Sequence, residues 1–118
     1  MRTKTILLSL LLIATGVGAV WAHAFLDHAS PLVGSTVAAA PHEVSLWFTQ
    51  ELEPAFSGVE VNDASGARVD LGKARIAGNV MHIGLKPLAP GSYHVHWHAL
   101  SVDTHRTEGS FTFHVGNR

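Results

Sequence analysis

Beyond residue 22, apolar and polar positions alternate in short segments separated by turn residues. Residues 43–49 carry Val44, Leu46 and Phe48 on one side and Ser45, Trp47 and Thr49 on the other. Residues 58–62 put Val59 and Val61 on one face, and residues 79–86 do the same with Met81, Ile83 and Leu85. Residues 92–100 set Tyr93, Val95 and Trp97 against His94, His96 and His98; residues 110–115 and a short apolar opening at 23–27 complete the set. A period of two marks extended strands, because successive side chains project to opposite faces. Ser30-Pro31, Gly34-Ser35, Asp63-Ala64-Ser65-Gly66 and Pro90-Gly91 supply turns between them. Short strands at regular spacing, without an amphipathic helical stretch, predict an all-β Greek-key β-sandwich or barrel. Val37-Ala38-Ala39-Ala40 is compatible with one helical turn, but four residues cannot sustain an isolated helix, so it reads as a connection.

The first 22 residues follow another pattern. Arg2 and Lys4 precede an apolar run from Ile6 to Ala14 broken only by Ser9, and Val20-Trp21-Ala22 ends in the small residues that a signal peptidase reads. The stretch from Ile6 to Val20 is shorter than the roughly 20 residues a spanning helix needs. The expected organisation is a cleavable signal over residues 1–22 and one β-domain over residues 23–118, with no membrane span in the exported part. Such a domain would be exported.

Composition narrows the chemistry. The 118 residues include no Cys, which removes a disulfide framework, a zinc–thiolate centre, an iron–sulfur cluster and a thiol nucleophile together. A formal net charge of −1 gives no electrostatic basis for binding nucleic acid. G-x-S-x-G, the P-loop and H-E-x-x-H are absent, so hydrolase and nucleotide-binding readings have no support. Nine His against eight Lys and Arg is the unusual figure, and all nine lie beyond residue 22. Imidazole is the commonest metal ligand.

Cleavage after Ala22 would make His23 the first residue. Its freed α-amine and its own Nδ1 can close a six-membered chelate ring on one ion, and two nitrogens there suit a tetragonal Cu(II) site. The plainer reading is that the junction merely happens to fall on a histidine. Near the other end, Ser101-Val102-Asp103-Thr104-His105 follows a strand. Asp103 and His105 share a face if that segment is extended, which would converge a carboxylate and an imidazole on one ion. The alternative is an Asp–His hydrogen-bonded turn with Asp103 capping local backbone donors.

The combination of segments resembles the CopC-type periplasmic copper-binding proteins, in particular those that bind Cu(II) alone. The resemblance rests on His23-Ala24-Phe25-Leu26, Ser30-Pro31, Gly34-Ser35, Ala39-Ala40-Pro41, Leu46-Trp47-Phe48-Thr49 and Glu53-Pro54-Ala55-Phe56-Ser57. It continues through Leu88-Ala89-Pro90-Gly91-Ser92-Tyr93, Val95, Trp97, the segment 101–105 and Gly109-Ser110-Phe111-Thr112-Phe113, covering essentially all of residues 23–118. It implies a cupredoxin-like Greek-key fold and a non-enzymatic carrier or buffer in copper homeostasis and resistance. It also implies one Cu(II) per mature chain, with His23, Asp103 and His105 as side-chain ligands and the His23 amine as the remaining donor. A CopD-like inner-membrane copper transporter is the implied partner, and the chain is expected to act as a monomer.

Two departures from the family pattern bear on this. Some members hold Cu(I) with a Met-rich loop, whereas here only Met81 remains after the signal, and it reads as core. Gln50 stands where the family commonly has Glu; no ligand role is carried to Gln50 or to Glu51. The stripe of His94, His96 and His98 reads as a solvated face over a packed aromatic one, although three such residues also have the spacing for a second ion. His28, His42, His82 and His114 read as surface or hydrogen-bonded residues. Two other functions are weighed beside the carrier. One is a histidine-brace copper oxygenase, in which Asp103 would obstruct the position that oxygen needs. The other is a metal-free immunoglobulin-like interaction domain.

Overall fold

The computed structural model describes residues 24–116; the expected signal over 1–22 and His23 lie outside the described residues. Eight strands follow in order: β1 (Leu26–Ser30), β2 (Thr36–Val37), β3 (Glu43–Phe48), β4 (Gly58–Asp63), β5 (Arg75–Ala77), β6 (Val80–Gly84), β7 (Gly91–Leu100) and β8 (Arg106–Val115). A single turn of 3-10 helix at Pro54–Phe56 links β3 to β4. The strands form two four-stranded sheets, ordered β1-β3-β6-β5 and β2-β8-β7-β4. The chain passes between sheets from β1 to β2, from β2 to β3, from β3 to β4, from β4 to β5 and from β6 to β7, so the fold is the expected β-sandwich. No helix among the described residues is long and apolar enough to cross a membrane.

The alternating pattern decides which faces meet. Val44, Leu46, Phe48, Met81 and Ile83 from the first sheet are buried against Val61, Tyr93, Val95, Trp97 and Phe113 from the second. Phe48 meets Trp97 edge to face at 5.0 Å between centroids, and Tyr93 stacks on Phe113 at 5.5 Å. Met81 is completely buried, as its place on the inner face of β6 requires. Each large side chain enclosed in this way contributes roughly 1.5–3 kcal/mol of hydrophobic stabilisation. Cysteine-free cores of this size depend on that term.

Three details depart from the pattern-based expectation. The first strand spans Leu26–Ser30 rather than 23–27, and its register against β3 slips between Leu26 and His28. Strands β2 and β5 hold two and three residues, too few to show a period; their pairing with β8 and β6 makes them strands. Strand β8 begins at Arg106, not 110, because the ladder with β7 runs unbroken from Leu100↔Arg106 to Gly91↔Val115. Gly109 sits opposite Trp97 in that ladder, and a Cβ there would lie 2.7 Å from Trp97 Cζ2, so the missing side chain is what admits the indole.

The segment 67–71 closes the open side of the sandwich. The Val69 N–H donates to Val61 O at 2.9 Å, the Lys86 N–H to Val69 O at 2.8 Å and the Leu71 N–H to Gly84 O at 2.9 Å. The Asp70 carboxylate, buried on this segment, accepts the Val61 N–H at 2.8 Å and two hydrogen bonds from the Arg68 guanidinium. A side chain thus takes the place of a neighbouring strand along β4.

Candidate metal centre

The β7–β8 hairpin ends in the turn 101–105. Ser101 is fully buried; its N–H donates to His105 O at 3.0 Å, and the Thr104 N–H returns to Ser101 O at 2.8 Å. Closing so tight a turn puts Thr104 at φ 73°, in the left-handed region that residues other than glycine adopt at a cost. The Ser101 hydroxyl donates to the Asp103 carboxylate. With that hydroxyl as the leading cause, and His105 beside it, the Asp103 carboxyl is held below the ordinary aspartate value.

Asp103 Oδ1 and His105 Nδ1 stand 3.2 Å apart, both side chains partly exposed. The convergence expected of these residues is therefore present, but a left-handed turn achieves it and not an extended strand. The local capping reading is present as well: the His105 N–H lies 3.4 Å from Asp103 Oδ1. A carboxylate oxygen and an imidazole nitrogen meet at the solvent-facing tip of a hairpin anchored by a buried serine.

The start of the described chain is fastened to the same end of the sandwich. Ala24 is fully buried, and its carbonyl accepts the Thr107 hydroxyl at 2.6 Å, two residues after His105. The Phe25 N–H donates to Thr49 Oγ1 and the Thr49 N–H to Phe25 O, each at 2.9 Å. The segment after β3 completes the surround: the Val102 N–H donates to Glu51 O at 3.0 Å and Leu52 bridges Ser101. Thr107 carries no motif signal, since its partner is 83 residues away. His23 lies outside the described residues, and among those described no three His, Asp or Glu side chains are gathered as a metal cage.

The remaining histidines divide as their alternation suggests. His94, His96 and His98 are exposed on the outer face of the second sheet. His28 bonds Asp27 and stacks on Trp47 at 4.4 Å, His82 Nδ1 meets Ser45 Oγ at 2.7 Å, and His114 Nδ1 meets Ser92 Oγ at 2.8 Å. His42 is exposed.

Fold and site define a class: a small cysteine-free β-sandwich that presents oxygen and nitrogen donors at a hairpin tip and keeps its one described methionine inside. Within that class the chain belongs to the CopC family, whose CopC domain matches residues 26–116. Protein YobA of Escherichia coli K12 is 37% identical over 100 residues, covering 81% of each chain. CopC from Methylosinus trichosporium OB3b has a TM-score of 0.75 at 36% identity, covering 80% of this chain and 94% of that one. PcoC, described as a methionine-rich copper resistance protein from Escherichia coli, has a TM-score of 0.69 at 35% identity, covering 80% of this chain and 99% of that one.

Proposed function

We propose that the chain is an exported Cu(II)-binding protein that carries or buffers copper in the periplasm. One ion would be held per mature chain by the His23 amine and imidazole, the Asp103 carboxylate and the His105 imidazole. The observation that carries this reading is the Asp103–His105 pair at 3.2 Å on the turn next to which Ala24 is fastened through Thr107. The residue bonded to Ala24 is His23, so a signal cut after Ala22 would deliver a terminal amine to the same end of the sandwich. Membership of a family that includes a copper resistance protein supports copper as the cargo.

The donor chemistry favours Cu(II). Amine, imidazole and carboxylate are the nitrogen and oxygen ligands of a tetragonal site, whereas Cu(I) selects soft thioethers. Met81, the one methionine after the signal, is buried in the core. Ser101 positions the Asp103 carboxylate and keeps it ionised, ready to meet a cation. Loading is ligand exchange with no bond made or broken in a substrate. Protons compete with copper for the amine and the imidazoles, so acidification drives release. A CopD-like membrane transporter would then receive the ion.

The decisive comparison is between protein that begins at His23 and protein with one added residue before it. The addition turns the amine into an amide nitrogen and opens the chelate ring. In a competition titration against one Cu(II) chelator, the extended protein should fold normally and bind much more weakly. The native terminus should give a nitrogen–oxygen electron paramagnetic resonance spectrum at one ion per chain. Equal affinities would remove the amine from the site, and a sulfur-dominated spectrum would overturn the donor set.

A further inference from the structure

Strand β8 breaks its own pattern at Thr107. Gly109, Phe111, Phe113 and Val115 share the inward face of this strand, and the last three are buried in the core. Ala99, opposite Thr107 in the ladder, is buried too. A hydroxyl in that company is costly unless it finds a partner, whereas valine has the same shape and makes no such demand. The partner is the Ala24 carbonyl, to which the hydroxyl donates at 2.6 Å. Ala24 is wholly enclosed, so its carbonyl in turn needs a donor. One residue later the chain is held from the other sheet. Thr49, directly after β3, accepts the Phe25 N–H on Oγ1 and donates its own N–H to the Phe25 carbonyl. Residues 24 and 25 therefore lie between two threonines, one from each sheet.

We infer that Thr107 and Thr49 are positioning residues for copper, which fix Ala24 and Phe25 before the ion arrives. The inference rests on the donor set proposed above and adds how its most distant member is brought in. Asp103 and His105 share one short turn, but the donors of residue 23 reach that turn only if the start of the chain is held there. A chain start left to fray is competent to bind for only a fraction of the time, and the apparent dissociation constant rises by the inverse of that fraction. Neither threonine is a ligand in this scheme, because each is engaged with the backbone of Ala24 or Phe25. Thr107 follows His105 by two residues, so the strand that carries one imidazole ligand also anchors the other end of the site. The hydroxyl on an apolar face is thus explained by the ion and not by the core.

The test uses Cu(II) alone, titrated against one chelator into protein that begins at His23, with the folding of each variant checked by circular dichroism. Thr107→Val, which removes the hydroxyl and keeps the shape, should bind about 5-fold more weakly, as loss of one hydrogen bond implies. Thr107→Ser should stay close to wild type, and Thr49→Val should weaken binding in the same direction. In metal-free protein the Phe25 amide should exchange with deuterium several-fold faster in Thr107→Val than in wild type. A second background carries His23→Ala with one residue added before it, so that the chain start offers neither amine nor imidazole. In that background Thr107→Val should leave the residual affinity unchanged. Wild-type affinity in Thr107→Val would overturn the inference, as would equal loss in the second background, where the hydroxyl could act only on the turn. If the second background itself binds copper as tightly as wild type, the donor set is wrong and this inference falls with it; if it binds weakly while Thr107→Val does not, only this inference falls.

Discussion

Asp103 and His105 touch each other, yet their removal should have unequal consequences. An imidazole is a stronger donor than a carboxylate for a metal of copper's softness. His105→Ala is therefore expected to weaken Cu(II) binding more than Asp103→Ala, as read by competition titration. The triplet was visible in the sequence because both residue types announce their chemistry. What holds them carries no such signal: Ser101 is a serine without a motif of its own, and the Thr107–Ala24 bond joins positions 83 residues apart. Of the two geometries open to the triplet, the turn is the one present, with Thr104 left-handed. Asp70 shows the opposite case, a residue with no motif and a heavy structural role. Burial pushes its carboxyl up, but Arg68 and the N–H groups of Val61 and Gly72 outweigh that and hold it below the ordinary aspartate value. A lowered carboxyl gives stability that is complete above its unfolded value and is lost as pH falls through the folded one. Asp70→Asn should cost about 1–3 kcal/mol at neutral pH. Urea unfolding at several pH values should show the gap to wild type narrowing as pH drops below about 4.

At the scale of the strand, alternation was a good guide wherever a segment was long enough to repeat. Residues 43–49, 58–62, 79–86 and 92–100 fall on β3, β4, β6 and β7 within a few positions. Their inner residues are those expected, from Val44 to Trp97. The failures have a common cause. Arg106 to Gly109 mixes charge with glycine and carries little strand signal, so alternation alone starts the last strand at 110; the ladder partner β7 imposes the conformation. The apolar opening at 23–27 points to a strand from residue 23, whereas the pairing that defines β1 begins at Leu26. Gly109 gives this a measurable form. Gly109→Ala must displace the indole of Trp97, which packs on Phe48 in the core, and overpacking of this kind costs about 1–3 kcal/mol. The shift should appear in the urea midpoint without a change in slope.

Over the whole molecule, a sandwich of two open sheets has four outer strands: β1 and β5 on one sheet, β2 and β4 on the other. Each exposes peptide groups that another chain could use. Strands β2 and β5 are too short to offer much. Strand β4, six residues long, is the most inviting, and it is there that Asp70 takes the Val61 N–H while Val69 takes the Val61 carbonyl. The carboxylate acts as a stopper in the seam. No incoming strand can satisfy Val61 without first displacing an ionised, guanidinium-paired side chain from a buried position. Without that stopper, β4 would leave the sandwich open to strand-by-strand association through its flank. Asp70→Ala should therefore do more than lower the melting point. Left at high concentration well below that melting point, the variant should scatter light increasingly with time, while wild type and Gly109→Ala, weakened elsewhere, stay clear.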